Sequence, residues 1–192
     1  MILVSQQLQK WTPTFVAALT EILAREPNSI LMYFAFASSV SVRAFERYLR
    51  DRFAESGLEF AGRAVALAML SRDDYLAAHR CADVAIDTFG FSGGSSTFDA
   101  VSVNLAVVSL EGQFLRSRQS AAILRAAGQE ANVVQSVESF IERTLFLLQA
   151  DPGTGAPCDS IGRREKAVTA VDGVFATAAA FLQSLPTRDR SG

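Results

Sequence analysis

Short apolar runs alternate with longer amphipathic stretches over the first 150 residues, as expected when strands buried on both faces are separated by helices. Residues 1–5, MILVS, read as a strand that begins at once. Pro13 suits the first turn of a helix reaching about residue 25, with Thr12 as its N-cap and Phe15, Leu19, Ile22 and Leu23 on one face. Residues 29–36 form a second strand-length run, and a helix over about 42–54 turns Phe45, Tyr48, Leu49 and Phe53 inward. A short buried strand is predicted at 64–69, after which Ser71 caps a helix opening on Arg72, Asp73 and Asp74. Further on, the pattern gives a helix at 116–127 closing at Gly128, a strand at 131–134 and a helix at 137–149. This alternation predicts an α/β domain over 1–150 with a Rossmann-like, doubly wound parallel sheet. Beyond it the sequence predicts a Pro- and Gly-rich loop at 151–160, a long alanine-rich helix at 161–186 packing back on the domain, and a frayed tail at 187–192.

The stretch 81–112, CADVAIDTFGFSGGSSTFDAVSVNLAVVSLEG, holds the richest local signal. It reads as a strand at 84–86, a glycine- and serine-rich turn at 90–96, a short helix at about 97–103 and a second strand at 106–110. In open α/β sheets, ligands sit at the turn following a strand's carboxyl end. A helix that starts there aims unpaired N–H groups and its positive dipole end at them. Gly93 and Gly94 let backbone approach a ligand closely, while Ser95 and Ser96 can cap the helix and offer hydroxyls to an anion. The natural guest is a phosphate or diphosphate.

Composition narrows the class. A chain of 192 residues, 49% hydrophobic and of formal charge −2, is large enough to bury a core as one globular domain. Neither a membrane span nor the apolar region of a signal peptide is visible, so the expected protein is soluble, cytoplasmic and without a membrane partner. Cys81 and Cys158 lack metal-ligand spacing and His79 is the only histidine, so no metal is expected. Charge near neutrality argues against nucleic acid. Only Lys10 and Lys166 of the eighteen basic residues are lysines, which makes a lysine just after the first strand a candidate for a place that needs a compact ammonium.

The residues QQLQKWTP, EPNSILMYF, DVAIDT, GGSSTFDA and NLAVVSLEGQFLRSRQSAAILRAAG, in that order over residues 4–150, resemble the carboxyl-terminal half of family 41 glycosyltransferases, the protein O-GlcNAc transferases and their bacterial relatives. The resemblance implies the carboxyl-terminal lobe of a GT-B glycosyltransferase that binds a UDP-sugar, UDP-GlcNAc above all, for transfer to serine or threonine hydroxyls of an acceptor protein. It implies that Lys10 neutralises the diphosphate as leaving group, a catalytic role, and that Gln7 contacts the phosphates. Ser95 and Ser96 stand where the family has a Thr-Thr pair, and Gly94 where its best-known member has a histidine. Asp99 matches the aspartate on the ribose hydroxyls. Arg72, Tyr75 and the backbone of Leu70 fall where the family holds uracil, Tyr75 replacing a histidine. Ala106 and Glu111 replace prolines, which is expected to loosen turns near the site. Arg116 and Arg118 fall where arginines lie near the donor site.

Each residue also has a plainer reading. Ser95, Ser96 and Thr97 suffice as a helix cap, Lys10 as a solvated charge, and Asp99 as a carboxylate favoured by a helix dipole. His79 reads as structural, and Asp83 and Asp87 lie too close to a buried run to serve as a base. The family's enzymes carry another nucleotide-fold half, usually preceded by helical repeats, that holds the acceptor; such a lobe or repeat segment is the expected partner. The alternative function is therefore a truncated, catalytically silent UDP-binding or interaction module.

Overall fold

The protein was analysed as a computed structural model that describes residues 1–150; the loop, helix and tail predicted at 151–160, 161–186 and 187–192 lie outside the described residues. Six parallel strands form one sheet in the spatial order β3-β2-β1-β4-β5-β6: β1 Ile2–Val4, β2 Leu31–Phe34, β3 Ala64–Leu67, β4 Val84–Ile86, β5 Val107–Leu110 and β6 Val133–Val134. Register runs straight through the centre, with Leu3 beside Met32 on one side and Ala85 on the other. The chain winds outward from β1 in one direction, then returns to its other side and winds outward again. β1 and β4 therefore flank the point where the connections diverge, which opens a crevice at their carboxyl ends.

Among the described residues, six helices cover the two faces: α1 Pro13–Arg25, α2 Ser39–Glu55, α3 Arg72–Cys81, α4 Ser95–Ser102, α5 Gln119–Ala126 and α6 Val137–Gln149. Strand side chains alternate between the two layers. Ile2, Val4, Tyr33, Val84 and Ile86 pack with Phe15, Leu19 and Phe140 from α1 and α6, while Leu3, Met32, Phe34 and Ala85 pack with Ala78, Ala100 and Leu124 from α3, α4 and α5. Each large apolar side chain taken fully out of water contributes about 1.5–3 kcal/mol, so the two layers hold the sheet from both sides. None of the described helices is long and apolar enough to cross a membrane.

Local chemistry explains most of the element ends. Thr12 caps α1 by accepting from Phe15 N at 3.2 Å, Ser71 caps α3 by accepting from Asp74 N at 3.2 Å, and Gly128 closes α5 with φ of 73°. Three expectations are corrected. β3 lies at the sheet edge among the described residues and is only partly buried, with Met69 exposed beyond its end. The helix expected at 116–127 is a 3-10 turn at Leu115–Ser117 followed by α5. α4 starts two residues early, at Ser95, with Gly94 as an N-cap that makes no side-chain capping bond, so Ser95 and Ser96 are first-turn residues rather than caps.

Candidate functional site

The chain leaving β1 enters the crevice at Ser5 and Gln6 and forms a 3-10 turn at Leu8–Lys10. The opposite wall is the loop from Asp87 to Gly94 and the start of α4. Side chains from both walls meet. Lys10 Nζ donates to Gln6 Oε1 at 2.8 Å and reaches Ser92 O at 3.4 Å; Gln6 Nε2 donates to Ser96 Oγ at 2.7 Å. A continuous polar line thus runs from the ammonium to the entrance of α4, where first-turn amides have no helical acceptor and the dipole is positive. The Lys10 ammonium also sits 4.3 Å from the centroid of the Phe91 ring, a cation–π contact that guides it across the loop. Partial burial lowers the Lys10 pKa, and the carboxylate of Asp87 opposes that fall.

The glutamine in this line is Gln6, not Gln7. Gln6 is buried, whereas Gln7 is exposed and contributes its carbonyl to Lys10 N at 3.0 Å, closing the turn that carries the lysine. A Cβ at Gly93 would stand 2.5 Å from Gln6 Nε2 and from Thr97 Oγ1, so only glycine lets the loop lie against Gln6. Gly94 faces Gln119, whose Oε1 would lie 3.1 Å from an added Cβ.

Beneath the loop, Asp87 is buried among donors. Its Oδ1 accepts from Thr88 N at 3.0 Å and Gly93 N at 2.8 Å, and its Oδ2 accepts from Ser109 Oγ at 3.0 Å. Burial raises its pKa, opposed by the hydrogen bonds from Gly93, Ser109 and Thr88. Ser120 Oγ in turn donates to Gly93 O at 3.0 Å and shares a hydrogen with Thr97 Oγ1 at 2.7 Å. Ser92 Oγ accepts from Gln119 N and Ser120 N at 3.1 and 3.3 Å, so the first turn of α5 is capped from the neighbouring loop. The bonds that tie this loop to β5 and α5 have no sequence signature, because their partners are 22 to 28 residues apart.

A second group lies on the β2 and β3 side of β1. Tyr75 packs its ring against Phe34 at 4.9 Å and His79 at 4.4 Å, and its phenol lies on the side of Ser5. Burial pushes the Tyr75 phenol up to about 12. Arg72 Nη2 pairs with Asp99 Oδ1 at 2.5 Å while its guanidinium stands 5.7 Å from the Tyr75 ring, and Leu70, just before α3, packs against the same core layer as Tyr75. Leu70, Arg72, Tyr75 and Asp99 therefore form one cluster. The cluster reaches the Lys10 group through the adjacent residues Ser5 and Gln6. His79 is fully buried, its Nδ1 donating to Tyr75 O at 2.8 Å, and burial lowers its pKa.

Glu111 does not loosen its turn. Arg125 holds it through two bonds of 2.9 and 2.7 Å, Arg118 Nε donates at 3.1 Å and Gln135 Nε2 at 3.0 Å. Those donors, Arg125 first, draw its carboxyl down to about 2. Arg116 instead lies over the Phe114 ring at 4.7 Å. The rim of the crevice carries exposed Met69, Phe91, Phe98, Phe114 and Leu115.

No protein-family model matches the sequence, and no curated protein matches it. Solved structures do. A mutant of the Thermobaculum terrenum O-GlcNAc transferase superposes with a TM-score of 0.73 at 24% identity, over 95% of this chain and 34% of that one. The pneumococcal O-GlcNAc transferase GtfA, solved in complex with UDP and GlcNAc, superposes with a TM-score of 0.56 at 12% identity, over 95% of this chain and 34% of that one. The fold is that of a GT-B glycosyltransferase lobe. Both neighbours are O-GlcNAc transferases, the family that the sequence resembles, and the chain spans about a third of the length of each.

Proposed function

We propose that this chain is the donor-binding lobe of a UDP-sugar-dependent protein glycosyltransferase, with UDP-GlcNAc as donor and serine or threonine hydroxyls as acceptors. The observation that carries the reading is the line Lys10–Gln6–Ser96 across the crevice between β1 and β4, which brings a cation and a helix entrance to the same side of the sheet. In sugar transfer the bond from the anomeric carbon to the diphosphate oxygen breaks, the acceptor oxygen takes its place, and negative charge grows on the departing UDP. A donor already aimed at that oxygen stabilises the transition state more than the ground state, commonly by about 3 kcal/mol. Lys10 takes this role, and Gly94, Ser95 and Ser96 bind phosphate oxygens. Asp99 binds the ribose, and Leu70, Arg72 and Tyr75 the base. In this reading Gln6 joins Gln7 as a phosphate-side residue. With a lysine and a helix terminus supplying the positive charge, the reading assigns no metal.

Exposed apolar side chains on the rim support a covering partner, which this reading takes as a second nucleotide-fold lobe that brings the acceptor. The cytoplasm is the proposed compartment, on composition alone. The test is thermal stabilisation by UDP: at 100 times its dissociation constant a ligand adds about 2.7 kcal/mol to stability. Lys10→Ala and Asp99→Ala are expected to shrink that gain. A folded wild-type protein unmoved by millimolar UDP refutes the reading.

A further inference from the structure

Asp87 belongs to no part of the site assigned so far, yet its carboxylate lies directly under it. We propose that Asp87 is a positioning residue for phosphate binding: it folds the loop from Thr88 to Gly94 around its two oxygens and holds the Lys10 ammonium in its charged form over that loop. The inference rests on the nucleotide-binding reading above and goes beyond it, because Asp87 is buried beneath the loop with both oxygens bonded to the protein.

The geometry supports both halves. Backbone amides of Thr88 and Gly93 converge on one oxygen, which closes the loop into the shape that brings Ser92 O toward Lys10 and Gly93 against Gln6. Ser109 from β5 fixes the other oxygen, so the carboxylate cannot rotate away. A carboxylate in such a dry place is costly unless donors and a cation offset it. Thr88 N, Gly93 N and Ser109 Oγ offset part of that cost, and the carboxylate supports the Lys10 ammonium, held over the same loop, against its own partial burial. Other charges around Lys10 are engaged elsewhere: Asp99 with Arg72, Glu111 with Arg118 and Arg125, and Arg116 over Phe114. Residues 88–98 carry no charge at all.

Asp87→Asn separates shape from charge, since an asparagine oxygen can still accept both amides while its NH2 donates to Ser109, whose hydroxyl can act as acceptor. The expected result is UDP binding within a few-fold of wild type near neutral pH, with the alkaline limb, where Lys10 loses its proton, displaced to lower pH. The titration of UDP itself is common to both proteins. Asp87→Ala removes shape as well and is expected to weaken UDP binding by roughly tenfold or more at every pH, the scale of losing bonds to a charged group. Superimposable pH profiles for wild type and Asp87→Asn overturn the proposal, as does a folded Asp87→Ala that binds UDP like wild type.

Because the chain holds only two lysines, the Lys10 side chain can also be followed in the wild-type protein by isotope-labelled NMR without ligand, with a Lys166→Arg variant for assignment. Its signal is expected to sense a carboxyl titrating above the ordinary aspartate range. No such response overturns the proposal even if neither variant folds. If wild type fails to bind UDP while this coupling is present, it is the nucleotide reading that fails and not the link between Asp87 and Lys10.

Discussion

Gly93→Ala tests whether the two walls of the crevice are as tightly joined as the distances say. The added Cβ would lie 2.5 Å from Gln6 Nε2, 2.5 Å from Thr97 Oγ1 and 2.8 Å from Ser96 Oγ. Side-chain ends can usually swing aside, but these three are tied. Gln6 is bonded at one end to Ser96 at 2.7 Å and at the other to Lys10 at 2.8 Å, and Thr97 is a buried β-branched residue bonded to Ser120 at 2.7 Å. Relief therefore breaks a buried polar contact, about 1–3 kcal/mol, or strains the packing by a similar amount. We expect a loss of about 2–4 kcal/mol, a large part of a typical domain's 5–15 kcal/mol but short of unfolding it. Gly90→Ala in the same loop is the control, because Gly90 has φ of +81° and open space around its Cβ position, so it carries only a left-handed backbone cost of about 1–2 kcal/mol. Denaturant unfolding followed by circular dichroism measures both, with an unchanged m-value confirming that stability alone has moved. A Gly93→Ala protein within about 0.5 kcal/mol of wild type, or no less stable than Gly90→Ala, refutes the reasoning.

Two pH-dependent predictions follow from buried or pinned groups. Glu111 has its carboxyl drawn from 4.5 to about 2, so its contribution is fully present above about 4.5 and is lost as pH falls toward 2. Its arginine partners reach solvent, which discounts that contribution to about 1 kcal/mol; Glu111→Gln is expected to cost that much at pH 7 and nothing near pH 2, as read from denaturation midpoints. His79 is held neutral by burial with its pKa below 6.5, so the stability it contributes is present above 6.5 and declines as pH falls and the unfolded state takes up a proton. His79→Asn, which can keep a donor toward Tyr75 O, should abolish that part of the pH dependence; a variant whose stability falls with pH in parallel with wild type speaks against it.

The fold was legible because its cues are local. Pro13 and Thr12 set the start of α1, Ser71 that of α3 and Gly128 the end of α5, and unbroken apolar runs marked the central strands. What failed was information carried by neighbours in space. Residues 64–69 are as apolar as an interior strand, yet among the described residues β3 pairs on one side only, with β2. Residues 116–127 have continuous helical periodicity, but Ser92 reaches over from another loop to accept Gln119 N and Ser120 N, which starts α5 at Gln119.

The glutamine pair shows the same limit within the site. Gln6 and Gln7 are adjacent and identical in type, so composition cannot choose between them. Strand alternation carries on past Val4 for two residues, sending Ser5 toward Tyr75 and Gln6 toward Ser96, and only then does the 3-10 turn begin. That turn leaves Gln7 at the surface and swings Lys10 back one turn later onto Gln6. A residue that is buried, amphipathic and bonded at both ends fixes geometry, whereas an exposed one at the mouth is free to meet a ligand. Gln6 therefore sets the spacing between ammonium and helix entrance, and any ligand bound between them is measured against that spacing.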